Sequence, residues 1–280
     1  MTKALPCINT QQKAAKIISK DQQPLMIMHK KKILIPLPHY GCDPSEVAIP
    51  WLLLNEKKFE VTFITPDGKI AITDEIMLTG KSLGLLKPIL QARHDAVVAY
   101  RQMEKSPAFN NPLKYIDVSA DDFDGLLLPG GHDKGVKEYL ESKILQKLVV
   151  DFFNENKPVA AVCHGVLIPA RSIDTKTNKS VIHHYKCTGL LKRQELTAYN
   201  LTRLWLGDYY LTYPQTTTED ELTSALACKT QFIEGNFPLL RDDLHNLSRG
   251  HVVRDRNYLS ARWPGDIYRF SLEFIDMLTD

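Results

Sequence analysis

The sequence predicts an α/β fold in three layers, with a mostly parallel central sheet and helices on both faces. Three observations carry that expectation. From Lys32 onward, short apolar runs alternate with helical patterns at the spacing of βαβ units. Two of the runs, Leu126–Leu128 and Val159–Val162, have the length and composition of strands buried on both sides. The second runs without a spacer into Cys163-His164-Gly165 and then a helical stretch from Val166 to Arg171. A strand that turns sharply into a helix at a thiol is an elbow that lifts the sulfur off the sheet. It aims the sulfur at a helix N-terminus, where free N–H groups favour a thiolate and can hold an oxyanion. A buried structural cysteine is the other reading of Cys163 on its own.

The elements follow in order. Residues 1–30 read as an N-terminal extension, with a short amphipathic helix over Gln11–Ser19. Residues 31–280 read as one domain. Ile33–Leu37 is a strand, followed by a turn-rich loop and a helix over Ser45–Asn55. Pro44 suits its first position and Asp43 its N-cap. Glu46 falls in its first turn, where the dipole alone would favour a carboxylate. Glu60–Thr65 is the next strand. Residues 67–120 break the rhythm like an insertion, with a hairpin arm at Asp67–Thr73 and a helix at Leu83–Gln102, and could cap a site. After Leu126–Leu128, Pro129-Gly130-Gly131 permits a close turn that can expose an N–H, or is a plain tight turn; His132 follows it. Lys134–Asn154 has helical periodicity. Asp174–Asn178 reads as a hairpin tip, Tyr185–Thr188 as a strand and Glu195–Trp205 as a helix. Gly207–Pro214 reads as a packed aromatic loop that could instead line a pocket or a dimer contact. Tyr268–Leu278 is the last helix.

Composition excludes several functions. The chain is 44% hydrophobic and 24% charged with a net charge of +2, so no polyanionic partner is indicated and nucleic acid is not expected. Five scattered cysteines without Cys-x-x-Cys spacing suggest neither a disulfide framework nor a structural zinc site. His183-His184 is an awkward metal pair, since neighbours on a strand face opposite sides, and with His251 reads as surface or strand-end. No metal and no cofactor are expected. Thr79-Gly-Lys-Ser82 lacks the leading glycine of a phosphate loop. No run approaches a membrane span, residues 1–30 lack the apolar core of a signal peptide, and a reducing, cytoplasmic setting fits.

Three motifs taken together resemble the ThiJ/PfpI family, which shares the flavodoxin-like, class I glutamine-amidotransferase-like fold. They are Glu46 in Glu-Val-Ala-Ile-Pro, Leu-Pro-Gly-Gly at 128–131 and Ala-Val-Cys-His-Gly at 161–165. Glu219-Asp-Glu-Leu222 is a weaker match. Gly250–Asn257 with Trp263-Pro264 is similar to the family's last hairpin and final helix. The resemblance spans about residues 30–280. It implies Cys163 as nucleophile, Glu46 as acid/base in contact with it, and His164 as general base or pocket residue. It further implies an oxyanion hole from the N–H groups of Gly131 and His164, with Gly130 and His132 edging the pocket. Many members resemble glutathione-independent glyoxalases acting on small reactive carbonyls, turning 2-oxoaldehydes into 2-hydroxy acids, and a homodimer is implied. One departure stands out. After Tyr185–Thr188 no acid appears until Glu195, with Asp133 and Glu219 as candidates from other segments, so the third member of a Cys-His-acid triad is left open. Beside the glyoxalase-type enzyme stand a cysteine peptidase or amidase using Cys163 and His164, and a non-enzymatic stress chaperone or redox sensor.

Overall fold

The computed structural model describes Met1 and residues 30–280. The helix expected over Gln11–Ser19 lies outside the described residues. Lys31–Asp280 forms one unit. Its strands in chain order are β1 (Lys32–Pro36), β2 (Tyr40–Cys42), β3 (Glu60–Thr65), β4 (Ile72–Thr73), β5 (Leu113–Lys114) and β6 (Gly125–Leu128). They continue with β7 (Val159–Val162), β8 (Ile173–Asp174), β9 (Lys179–Ser180), β10 (Val252–Asp255) and β11 (Tyr258–Ala261). Seven of them make the central sheet in the order β10-β11-β7-β6-β1-β3-β5, parallel except for the β10–β11 hairpin. Helices cover both faces, as the alternation predicted.

Side chains alternate across this sheet, so each strand feeds two cores. Ile33, Ile35, Leu127, Ala160 and Val162 face the helices Pro44–Glu56, His94–Met103 and Ile267–Thr279. Leu34, Leu126, Leu128, Val159 and Ala161 face Lys143–Asn154 and Leu167–Arg171. Burial on both sides is why the strands read as continuous apolar runs. The register pairs Leu126 with Val159 and Leu128 with Ala161. The carboxyl ends of β6 and β7 therefore emerge side by side, and so do Pro129-Gly130-Gly131 and Cys163. In open α/β sheets that edge is where ligands bind.

Several local expectations are corrected. Ile72–Thr73 is not a hairpin arm; it pairs in parallel with Tyr40–Cys42. The helix expected over Leu83–Gln102 is broken between Lys87–Leu90 and His94–Met103, where Gln91 and Arg93 are extended. Ala92 N–H is drawn to Met77 O at 2.9 Å instead. Lys134–Asn154 divides into Lys137–Leu140 and Lys143–Asn154, because Ser142 caps the second helix by accepting from Leu145 N at 3.3 Å. Tyr185–Thr188 is not a strand and offers only an isolated bridge, Cys187 to Phe232. The tip at Asp174–Asn178 does close an antiparallel hairpin, β8 with β9.

Asp242 ties the last helix to the preceding loop. Its carboxylate accepts from Tyr268 N at 3.2 Å and Arg269 N at 2.8 Å, and burial, outweighing these bonds, pushes it up to about 7. A carboxyl whose folded pKa exceeds its unfolded value of about 3.9 contributes stability that is full below the unfolded value. That contribution is lost as pH rises through the folded value. Thermal stability is therefore expected to fall from pH 4 to 7 in part through Asp242, and Asp242→Asn to flatten that decline. Equal pH slopes for the two proteins would refute the assignment.

Candidate active site

Cys163 follows β7 directly and holds φ +56°, the left-handed region that a non-glycine residue adopts only under constraint. The chain then turns through a short 3-10 segment, Cys163–Val166, into the helix Leu167–Arg171. Gly165 lets this turn press against β6: an added Cβ would lie 2.3 Å from Leu128 O and 2.6 Å from Pro129 O. The strained thiol-bearing turn read from the sequence is thus present in the backbone.

Glu46 reaches the same point from the first turn of its helix. Asp43 starts that helix, accepting from Ser45 N at 2.7 Å and Glu46 N at 3.2 Å, with Pro44 at its first position. The Glu46 side chain is fully buried. Its Oε2 accepts from Gly130 N at 2.8 Å, while Oε1 has no hydrogen-bond partner among the described residues. Gly130 cannot carry a side chain there, since a Cβ would sit 2.8 Å from both Glu46 Oε2 and His164 N. Burial, reinforced by the Asp43 charge, pushes the Glu46 carboxyl well above the usual range, against the pull of the Gly130 N–H and the Cys163 thiol. Burial likewise pushes the Cys163 thiol up, with the charges of Glu46 and Asp43 adding to it and the His164 backbone N–H opposing. A negative charge on either group opposes ionisation of the other.

The His164 ring turns toward the thiol. Its Nδ1 lies 3.5 Å from Cys163 Sγ. Behind it, Nε2 is 3.2 Å from Thr212 Oγ1 and 3.9 Å from Glu195 Oε1. Glu195 is buried on the helix Lys192–Leu206, and its other oxygen accepts from Thr218 N at 3.0 Å. Cys163, His164 and Glu195 therefore lie in a line, and the third position that the sequence left open is taken, among the described residues, by Glu195. Glu195 was visible only as an acid arriving late. Its pairing depends on a loop that carries the helix back to β7, which local pattern does not encode.

A cavity of about 320 Å³ opens above Cys163. Glu46, Gly131, His132, Cys163 and Glu195 line it. Gly131 turns at φ +149°, and an added Cβ would meet Gly41 O at 2.3 Å. His164 and Gly130 sit behind the wall rather than on it. His132 stacks on Tyr210 at 4.4 Å between ring centroids and meets Tyr209 edge-on at 4.7 Å. Burial, helped by the nearby His164, pulls its imidazole down to about 3, so the ring is neutral near pH 7. Its Nε2 lacks a hydrogen-bond partner among the described residues. The loop Gly207–Pro214 thus lines the pocket through Tyr210 rather than serving only as packed surface. Met77, Ile89, Leu90 and Ala92, from the segment between β3 and β6, form another wall.

Two further buried cysteines stand away from the cavity. Burial pushes the thiols of Cys42 and Cys187 up to about 12, and neither lines the cavity. Among the described residues no cluster of three or more His, Cys, Asp or Glu could hold a metal ion. No described helix is long and apolar enough to cross a membrane.

Comparison with known proteins agrees with this architecture. The chain is 27% identical over 177 residues to the glutathione-independent glyoxalase HSP31 of Saccharomyces cerevisiae, covering 58% of this chain and 69% of that protein. It is 26% identical over 175 residues to a deglycase of Pyrococcus abyssi, covering 60% and 70%. Among solved structures, glyoxalase III of Candida albicans matches with a TM-score of 0.64 at 19% identity, over 88% of this chain and 97% of that one; at such identity the likeness speaks for the fold. The model describing ThiJ/PfpI family-like proteins matches residues 37–222, well over half of the 280 residues, and the chain belongs to that family.

Proposed function

We propose that the protein is a cysteine-dependent enzyme that converts 2-oxoaldehydes to 2-hydroxy acids without glutathione, with Cys163 as nucleophile and Glu46 as acid/base. The observation that carries this reading is the buried Glu46 carboxyl, which lines the same cavity as Cys163, with Oε2 fixed by Gly130 N–H and Oε1 left without a hydrogen-bond partner among the described residues. The names of the glyoxalase and deglycase relatives support the same chemistry.

The steps need only these groups. The sulfur bonds to the aldehyde carbon, and the thiol proton passes to the new oxygen through Glu46, giving a hemithioacetal. Glu46 then removes the hydrogen on that carbon as a proton and returns it at the neighbouring carbon, while the hemithioacetal hydroxyl proton passes to the neighbouring carbonyl oxygen. The first carbon is oxidised as the second is reduced, so no external oxidant is required. The product is a thioester, which water cleaves to release the 2-hydroxy acid and the thiol. A carboxyl that burial holds above its usual range keeps its proton more readily, which suits a group that must both accept and return one. Gly131 on the cavity wall and the His164 N–H beside the sulfur are the proposed oxyanion donors.

Purified protein incubated with methylglyoxal, without glutathione, is expected to form lactate, and Cys163→Ala to reduce this to background. Absence of lactate from folded protein with a reactive thiol would sink the glyoxalase reading. A second reading, a cysteine amidase or peptidase, gains support from His164 lying between Cys163 and Glu195 at 3.5 and 3.9 Å. It requires a burst of product from an activated ester or amide as the acyl-enzyme accumulates.

A further inference from the structure

The cavity is larger and more apolar than a three-carbon 2-oxoaldehyde requires. At about 320 Å³ it falls in the range that encloses drug-sized ligands. Its charged groups are unevenly placed. Glu46, Asp43 and Glu195 gather with Cys163, whereas Met77, Leu90, Ala198 and Leu201 present apolar side chains and Tyr210 and Trp263 aromatic ones. The apolar lining continues outward to a rim of Ile89, Phe237 and Leu239, exposed by 66%, 58% and 76%.

Two arginines also line the cavity, and both are engaged by the frame. Arg241 donates to Ile89 O at 2.8 Å and Gln91 O at 3.0 Å and lies 5.7 Å from the Trp263 ring centroid. Arg193 pairs with Glu234 at 3.5 Å and sits 4.8 Å from the Phe237 ring centroid. These contacts brace the rim; Arg241 in particular joins the segment containing Ile89 to the one containing Leu239. What remains is a reactive polar end and an apolar chamber held open beside it. Such a chamber rewards a ligand for each apolar group it removes from water.

Resting on the glyoxalase-type reading of Cys163 and Glu46, we propose that this site turns over methylglyoxal but prefers reactive carbonyl compounds with a bulkier apolar body, up to phenyl size or larger, with Leu201 and Tyr210 among the residues that set the preference. Straight-chain 2-oxoaldehydes from methylglyoxal to 2-oxooctanal provide the test. The kcat/KM is expected to rise about two- to fourfold for each added methylene until the chamber is full. A flat or falling series overturns the proposal. Leu201→Gln, at a half-exposed helix position that tolerates a polar side chain, is expected to flatten the rise. An unchanged slope in this variant overturns the placement of the body.

A second measurement does not depend on turnover. Acetophenone is expected to slow alkylation of Cys163 by iodoacetamide at concentrations where acetone does not. The readout is mass spectrometry of the peptide carrying Cys163, with exposed Cys228 as the internal reference. Protection by acetophenone with no oxoaldehyde turned over would support the apolar chamber and refute the glyoxalase reading. Turnover of methylglyoxal with a flat series and no selective protection would refute the chamber alone.

Discussion

Glu46→Gln is expected to lower kcat/KM for methylglyoxal by about 10²- to 10⁴-fold, the range in which a positioned acid/base contributes. Glutamine has nearly the same shape, and its carbonyl oxygen can still accept from Gly130 N, a contact of 2.8 Å in the parent protein. What it cannot do is take up and return a proton. The fold is expected to survive. Burial raises the Glu46 carboxyl, so the folded state resists its ionisation, and this opposition grows as pH rises. The variant's stability relative to the parent protein is therefore expected to increase with pH, as read by thermal melts. Glu195→Gln serves as the contrast. Under the glyoxalase reading it leaves hemithioacetal chemistry largely in place and costs less than Glu46→Gln. Under the hydrolase reading the order reverses, because His164 loses its acid. Glu46→Gln retaining more than a tenth of parental activity would remove Glu46 from the mechanism.

Gly165→Ala is expected to destabilise the fold by roughly 3 kcal/mol or more, in the range of severe overpacking. The contacts a methyl group would make, 2.3 Å to Leu128 O and 2.6 Å to Pro129 O, are with backbone on a central strand, so no side chain can swing aside. Relief must come from parting the ends of β6 and β7, the two strands that carry Gly130 and Cys163. Any protein that does fold should therefore also lose activity. Gly84→Ala is the control. It has positive φ, +54°, but nothing within 4 Å of the added Cβ, so only the cost of a left-handed alanine, about 1–2 kcal/mol, is expected. Urea unfolding of both variants decides the matter, and a loss at Gly165 no larger than that at Gly84 would show that the crowding against Leu128 O and Pro129 O is relieved and does not govern Gly165.

What the amino-acid sequence by itself determined is local. The apolar run Val159–Val162 is buried on both faces, and its composition says so before any partner is known. Asp43 and Pro44 open a helix because the cap and the fixed proline φ act within one turn. Gly130, Gly131 and Gly165 stand where a side chain would strike backbone or the buried Glu46 carboxyl, and glycine is the only residue that leaves that space. The resemblance carried by these motifs led to the family that the comparison shows.

The tertiary structure decided what depends on distant partners. Apolar periodicity predicted one helix over Leu83–Gln102, but Ala92 N–H bonds to Met77 O and the helix breaks. The contact between Glu46 and Gly130 spans 84 positions and that between Thr212 and His164 spans 48. Glu195 approaches His164 only because its helix folds back over the end of β7, and the ring turns toward the thiol in a setting where Thr212 and Glu195 lie behind it. The cavity is assembled from segments far apart in sequence, among them Met77, Glu46, Tyr210 and Trp263. Residues next to one another encode backbone preference and amphipathic period. The position of a buried charge, the proton it holds and the width of the chamber beside it are properties of packing, fixed only when the strands align.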